Sequence, residues 1–290
     1  MKKILTVLLA IVCLCCSFFT GCNGGAKYEE IKVEGEQLDF DAMRDWVAIR
    51  QNSYLESDLK KSNGHHWYDI DINLEQTTSS SHLKVERTLS MQGKMGVNID
   101  EENKLHLYYD VEIQVEMKRF ALKDSSEKPD FIGEANIKLI VVDNVAYADT
   151  TAKETSKGRE YIEKIKKQGS IDSVLGNDLD LDDLFKVEGQ YVKAYGVNAV
   201  SVIVENKYAN FYKKGDTFFI EKDSSGLLQY KLTFEKNSAI VKEEKVYIKQ
   251  GSASALGDEH IDVLMASTVK RIKEVRIKKP SDSDEYKKRF

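Results

Sequence analysis

The feature that most constrains the fold is a run of alternating apolar and polar residues between Leu83 and Met117. Nearly every second side chain in this run is apolar, and the positions between are mostly charged or carry amides and hydroxyls. A period of two is typical of β-strands with one buried and one solvated face. The polar stretch 100–104 interrupts the pattern and is long enough for a hairpin loop. The sequence therefore predicts a long antiparallel hairpin.

The two strands of this hairpin are longer than most β-strands, so we expect them to twist and curl. Gly93 and Gly96 are the natural bending points. A long sheet that curls and hides one face makes a trough, and methionines on that face suit a cavity for irregular ligands. The residues predicted to line a hydrophobic cavity are Met91, Met95, Val97, Leu107, Tyr109, Ile113 and Met117. The same stripe would also suit a completely filled core.

The segment before the hairpin predicts a helix and a first strand. Asp39 or Asp41 can cap the helix, whose apolar residues recur at helical spacing. These residues are Phe40, Met43, Trp46, Val47, Tyr54, Leu55 and Leu59. Alternation over 67–76 then indicates a strand. The helix is the first candidate to cover the trough.

Segments after the hairpin predict a mixture of strands and helices. The dipeptide Asp143-Asn144 predicts a tight hairpin turn, because both residues tolerate the positive φ that such turns need. Further strands are expected at 200–204 and between 228 and 248. Apolar residues recur at helical spacing in 156–167 and in 261–272.

A further short helix is expected to begin at 180–182. This order of elements predicts an α+β fold. The expected architecture is a curved antiparallel sheet, or half-barrel, with helices covering its concave face.

The first 22 residues have the layout of an export signal. Lys2-Lys3 precedes an uncharged apolar run over 4–19, which is short for a membrane-spanning helix. Phe19-Thr20-Gly21-Cys22 resembles the lipobox of bacterial lipoproteins, apart from phenylalanine where the family prefers leucine. The resemblance implies that residues 1–21 are removed and that Cys22 is acylated, anchoring the chain to the extracytoplasmic side of the cell membrane. The alternative is an ordinary secretory signal that ends near a cysteine.

A second resemblance concerns the body of the chain. With the lipobox, the leading amphipathic helix, the long meandering strands and the hairpin 140–147, the chain resembles the LolA/LppX-type bacterial lipoproteins. That family implies a half-barrel whose concave face is covered by helices and can hold acyl chains. We accordingly expect a tether at 22–37, a half-barrel domain at 38–278 and a basic, polar tail at 279–290.

The composition disfavours some partners. The net charge is −5 at pH 7, and removal of the signal takes away Lys2 and Lys3, so a nucleic-acid partner is not expected. The stretch 270–290 is locally basic. It is expected to be a frayed, solvated terminus, and the alternative is contact with anionic lipid headgroups or wall polymers.

Candidate chemical sites are weak. Next to Asp69 and Asp71, His65-His66 has the atoms of a metal site, but neighbouring residues of a strand point to opposite faces. The acids of 178–182 have calcium-loop spacing without the glycine and glutamate that an EF-hand needs. The mature chain keeps only Cys22, which excludes an internal disulfide framework. No glycine-rich phosphate loop, nucleophile elbow or HExxH motif occurs, so no enzyme, metal or cofactor is expected.

Two functions follow from these observations. The first is a membrane-anchored extracytoplasmic lipoprotein that binds a lipid or other hydrophobic ligand between sheet and helices. The second is a lipoprotein with a filled core that uses its charged outer face to bind envelope proteins or wall polymers. The leading helix separates them, since Met43 and Trp46 either fill the trough or line its rim.

Overall fold

The computed structural model describes residues 30–50, 65–80, 82–99, 105–121, 128–170, 174, 199–223, 226–238, 241–254 and 257–288. Their thirteen strands form one sheet. The strands are β1 Glu36–Leu38, β2 His65–Ser79, β3 Leu83–Ile99, β4 Leu105–Ala121, β5 Phe131–Val142, β6 Val145–Ser156, β7 Arg159–Gly169, β8 Asn210–Lys214, β9 Thr217–Asp223, β10 Leu227–Phe234, β11 Val241–Ser254, β12 Gly257–Arg271 and β13 Lys287–Lys288. The described helices are α1 (residues 40–50), α2 Ala199–Glu205 and a 3-10 turn at Ser283–Glu285.

The sheet consists of two meanders joined by one long-range ladder. Its strand order is β1-β8-β9-β10-β11-β12-β2-β3-β4-β5-β6-β7-β13, and neighbouring strands are antiparallel except for β13, which runs parallel to β7. The ladder joins β12 to β2, with Arg271 opposite Tyr68 and His260 opposite Ser79. The last long strand of the chain therefore lies beside the first.

The predicted α+β class is wrong. The described chain is nearly all β, with two short helices and no helical layer over the sheet. Two segments predicted as helices are strands: 156–167 forms the end of β6 and most of β7, and 261–272 lies almost wholly in β12. In β12 the residues Val263, Met265 and Val269 share one face in register with β2. Pairing with strands on both sides outweighs a short helical pattern that also fits a period of two.

The predicted strand at 200–204 is also corrected, because these residues lie in α2. Val202 and Ile203 are buried, whereas Val204 is 48% exposed. A short apolar run fits either structure, and packing against neighbouring elements decides between them.

The predicted central hairpin is confirmed. Strands β3 and β4 pair along their whole length, from Leu83 opposite Ala121 to Ile99 opposite Leu105. The predicted turn at Asp143-Asn144 is confirmed too, since φ is 52° at Asp143 and 61° at Asn144. Positive φ at both central residues is the type I′ geometry that matches the twist of a hairpin.

Helix α1 begins where the sequence predicts. The Asp39 side chain caps it, since its Oδ1 accepts a hydrogen bond of 2.8 Å from the backbone N–H of Ala42. Met43 and Val47 are fully buried in a cluster formed with α2 and strands β8 to β12. The Trp46 ring packs edge-on against Phe234 at 6.0 Å. The helix thus covers part of the C-terminal meander.

The C-terminal segment (residues 272–288) is packed against the sheet instead of fraying. Ile277 and Tyr286 are buried in a cluster with Trp67, Ile140 and Tyr147. Strand β13 pairs with β7, and the Gln168 side chain donates a 2.8 Å hydrogen bond to the Tyr286 carbonyl.

Ion pairs also hold the C-terminal segment against the sheet. The Lys166 ammonium donates hydrogen bonds to Asp282 and, at 2.7 Å, to Glu285. These two carboxylates raise the pKa of Lys166 above its usual range. The C-terminal segment is basic as a whole, but two of its acids, Asp282 and Glu285, bind Lys166 of the sheet.

Gly93 is required by a close backbone approach between β3 and β4. Its φ is 151°, and a Cβ at this position would lie 2.2 Å from the carbonyl oxygen of Asp110. Gly158 also has positive φ, at 72°, but no atom lies within 4 Å of the place its Cβ would take. A side chain would therefore clash with the backbone at Gly93 but not at Gly158.

We expect Gly93→Ala to destabilise the protein by about 2–4 kcal/mol, because the clash adds to the backbone strain. Gly158→Ala carries the strain alone and is expected to cost about 1 kcal/mol. Urea denaturation followed by circular dichroism measures both. Equal losses of unfolding free energy in the two variants would contradict the close approach.

Candidate functional site

Five of the seven predicted cavity residues have described side chains, and these five share one face of the sheet. Strand register places Met95 opposite Tyr109 and Met91 opposite Ile113, and the same alternation puts Met117 on this face. We call the face that carries Ile113 the apolar face and the opposite one, which carries Gln114, the polar face. Val97 pairs with Leu107, and their side chains lie outside the described part of the structure.

On the apolar face these side chains take part in core packing. Ile113 is 3% exposed and belongs to a cluster of buried residues from β2 to β6. Met91, Met95 and Tyr109 are partly buried against that cluster. Val174, which precedes α2, is buried in it as well. Met91, Met95, Tyr109 and Ile113 therefore pack as a hydrophobic core packs, whereas Met117 is half-buried and lies outside this cluster.

A carboxyl group is buried on the apolar face. Glu244 of β11 lies opposite Leu232 and Ser267 and is 3% exposed. Burial raises the pKa of Glu244 to about 8, and a hydrogen bond of 3.5 Å from the Ser267 hydroxyl opposes the shift only in part. At neutral pH the folded protein holds this group mainly as the neutral acid.

A groove of about 600 Å³ crosses the polar face. One of the two rows of side chains that line it, which we call the central row, consists of uncharged hydrogen-bonding side chains, one from each of five adjacent strands, β2 to β6. The row is Asn73, Ser90, Gln114, Asn136 and Thr151. Neighbouring strands lie about 4.8 Å apart, so the row extends roughly 19 Å across the sheet.

The second row of side chains that lines the groove is mostly charged. It contains Glu75, Thr88, Glu116, Glu134 and Lys153. Lys153 lies 3.8 Å from Glu134 and 3.2 Å from Glu160, while Glu116 pairs with Lys118 at 2.8 Å. Carboxylates outnumber cations in the lining, so the groove favours neutral or cationic groups over anions.

Hydrogen bonds orient the amides of the central row. The Asn136 amide donates to Glu112 at 3.0 Å, Gln114 donates to the same oxygen at 3.4 Å, and Asn73 donates to Asp71 at 2.7 Å. The bond from Asn136, followed by that from Gln114, lowers the pKa of Glu112. An amide that donates on one side presents its carbonyl oxygen on another, so the row offers acceptors to a ligand.

The C-terminal segment borders this groove. Lys138 lies two residues from Asn136 on the same face of β5, and its charge helps to lower the pKa of Asp282, for which the bond from Lys166 is the main cause. Lys166 in turn shares a row with Asp149, two residues from Thr151. The C-terminal segment therefore covers one end of the polar face, and the groove lies next to the covered part.

The other candidate sites considered from the sequence either do not assemble among the described residues or lie outside them. No group of three or more His, Cys, Asp and Glu side chains that could hold a metal ion occurs there. Asp69 lies 3.6 Å from Lys94, and Asp71 accepts the bond from Asn73. The side chains of His65 and His66, the acids of 178–182 and Cys22 lie outside the described part of the structure.

Sequence reasoning treated the central row as part of a solvated face. The signal that could have found it is an uncharged polar residue on the polar side of each of five adjacent strands. Aligning those residues requires the register between strands as far apart as β2 and β6, which a single sequence does not provide.

Comparison with known proteins supplies no relative. No protein-family model and no curated protein matches the chain. Among solved structures, the translocator domain of autotransporter NalP from Neisseria meningitidis is 6% identical, with 77% of this chain and 97% of that chain covered and a TM-score of 0.18. A likeness this low carries no argument about fold or function. None of the described helices combines the length and apolar character of a membrane span.

Glu244 makes stability depend on pH. Its folded pKa of about 8 lies above the usual 4.5, so the unfolded chain releases this proton at a lower pH than the native state does. The free energy of unfolding should therefore fall as pH rises from 4.5 to 8. The expected loss between pH 6 and pH 8 is about 2 kcal/mol.

Glu244→Gln should abolish this decline, as measured by urea denaturation at each pH. Glu243→Gln is the matched control, because Lys231 lies 2.9 Å from that carboxylate and helps to lower its pKa. The control should keep the decline between pH 6 and pH 8. A flat profile in the unmodified protein would contradict the burial of an uncompensated carboxyl group.

Proposed function

We propose that this protein is a non-enzymatic lipoprotein, anchored at Cys22 to the extracytoplasmic face of the membrane, that binds a neutral, hydroxyl-rich polymer in the polar-face groove. The observation that carries the proposal is the row of five uncharged hydrogen-bonding side chains across adjacent strands. A glycan of the cell envelope has the chemistry to match it, since sugar hydroxyls donate to amide and carboxylate oxygens.

The surroundings of the row favour this ligand over others. Glu75, Glu116 and Glu134 repel phosphate-rich or other polyanionic polymers. An apolar ligand would remove the amide carbonyl oxygens of Gln114 and Asn136 from water without giving them a donor, which is unfavourable. A neutral polyol avoids both penalties.

The packing on the apolar face favours the filled-core function over the lipid carrier. Met91, Met95 and Tyr109 rest against buried residues such as Val111 and Ile137. Side chains that already pack against one another leave less apolar surface for an acyl chain to cover. Recognition is accordingly assigned to the polar face.

Binding is tested with an array of neutral and acidic oligosaccharides, followed by calorimetry on the best neutral one. Gln114→Ala and Asn136→Ala should each weaken binding about fivefold to tenfold, since one hydrogen bond contributes about 1 kcal/mol. Gln92→Ala is the matched control, because Gln92 is exposed on the polar face outside the groove lining. Its affinity should be unchanged.

Native mass spectrometry of the same preparation separates this function from the lipid carrier. A clean protein mass together with saccharide binding supports the groove. A reproducible extra mass that extracts into organic solvent as lipid, with no saccharide bound, would overturn the proposal in favour of a hydrophobic ligand.

Anchoring is tested separately by growing expressing cells with labelled palmitate. The chain should incorporate the label, and Cys22→Ser should abolish incorporation and release the protein from the membrane fraction. Cys16→Ser, within the apolar run, should keep both properties. Equal labelling of the Cys22→Ser variant would refute acylation at this residue.

A further inference from the structure

Most of strand β7 has a described strand neighbour on one side only. It pairs with β6 along its length, from Ser156 opposite Arg159 to Ala146 opposite Gly169. On its other side, among the described residues, β13 pairs only with Lys167 and Gln168. Residues 159–166 therefore carry backbone donors and acceptors that no described strand meets, which is the arrangement that accepts another strand.

The same edge exposes large apolar side chains. Ile162 is 60% exposed and Tyr161 is 48% exposed, on opposite faces of the sheet. Arg159, Glu160 and Lys164 are exposed beside them. Natural edges are usually kept from pairing by charge, so exposed apolar side chains in the middle of an edge that no described strand covers favour a partner.

Two-fold symmetry restricts how this edge can pair with itself. In an antiparallel ladder, paired residues both point their backbone groups toward each other or both point away. Two identical edges meet this condition only when the axis passes through a residue, which then lies opposite itself. An axis at Glu160, Glu163 or Lys164 would place like charges directly opposite, which is unfavourable.

The remaining axes favour Ile162. An axis at Ile165 would set Lys164 against the partner's Lys166, again a like-charge pair. An axis at Tyr161 would use only residues 159–163 of the free edge, whereas one at Ile162 uses 159–165. The Ile162 axis also sets Glu160 opposite the partner's Lys164, twice by symmetry.

We propose that β7 pairs with β7 of a second copy of this chain, antiparallel, about a two-fold axis at Ile162. Ile162 then contacts the partner's Ile162 on the polar face. The two Glu160 to Lys164 contacts flank that apolar centre. The charges on this edge therefore attract a second copy of the same edge. Residues 159–165 of each copy complete their backbone hydrogen bonds.

The pairing extends one sheet through both copies. A two-fold axis between antiparallel edges is perpendicular to the sheet, so the polar faces of both copies look the same way. The two grooves would lie on one continuous surface and could engage one extended polymer at two points, which raises the apparent affinity. The dimer itself does not rest on the proposed function.

Sedimentation velocity of the full chain in a mild non-ionic detergent tests the pairing. The unmodified chain should form dimers in a concentration-dependent way. Glu160→Lys should raise the dimer dissociation constant roughly tenfold or more, because two lysines then face each other on each side. The double variant Glu160→Lys with Lys164→Glu restores opposite charges and should restore the dimer.

Cysteine cross-linking tests the register. With the four native cysteines changed to serine, Ile162→Cys carries a single thiol that should form an intermolecular disulfide on mild oxidation. Lys164→Cys is the matched control, because the proposed axis places it about 13 Å along the strand from its symmetry mate, and it should cross-link poorly.

Either of two results would overturn the proposal. One is a monomer at every concentration, which would leave the edge to an extended peptide of another protein. The other is a dimer whose dissociation constant is the same in the unmodified chain and in Glu160→Lys, or one that cross-links through Lys164→Cys as well as through Ile162→Cys.

Discussion

The ladder between β12 and β2 is the interaction on which the rest of the sheet depends. It runs from His260 opposite Ser79 to Arg271 opposite Tyr68 and joins the C-terminal meander to the N-terminal one. Without it the described strands would form two separate sheets, each with a further exposed edge. Because its paired residues lie 181 (Ser79 to His260) to 203 (Tyr68 to Arg271) positions apart in the chain, loop-closure entropy opposes its formation until other contacts exist. Local hairpins such as β3 with β4 are therefore expected to form before it.

A fixed register across so many strands is what turns scattered residues into a surface. A shift of one residue in a single strand would move its apolar side chains to the polar face. The buried cluster on the apolar face penalises such a shift, since residues such as Ile113 and Ile137 would become solvated. Core packing thereby also sets the alignment of the groove on the opposite face.

Local patterns in the sequence were enough to predict the hairpins and the start of α1. The long alternation predicted β3 and β4, Asp143-Asn144 predicted the turn, and Asp39 was one of two predicted caps. The errors fell where a short apolar pattern suits two structures. Residues 161, 162 and 165 fit a helical stripe, yet in β7 they belong to an edge strand whose partner β6 is next to it in the chain.

What the sequence could not show is long-range. The packing of the C-terminal segment depends on Lys166 and Gln168, more than a hundred residues earlier in the chain. The central row of the groove depends on five strands being in register. Neither has a local signature, because each side chain taken singly resembles an ordinary solvated residue.

The two faces treat the same chemical group in opposite ways. Glu244 faces the hydrophobic side, where desolvation makes the neutral acid the stable form. Glu112 lies on the polar face beside the groove, where two amide donors stabilise the carboxylate. The sheet is a single layer of strands, and successive side chains point to opposite faces. This alternation alone separates the hydrophobic environment of Glu244 from the polar environment of Glu112. A sheet of this kind can hold a hydrophobic core and a polar recognition surface back to back, so a filled apolar face is compatible with binding on the polar one.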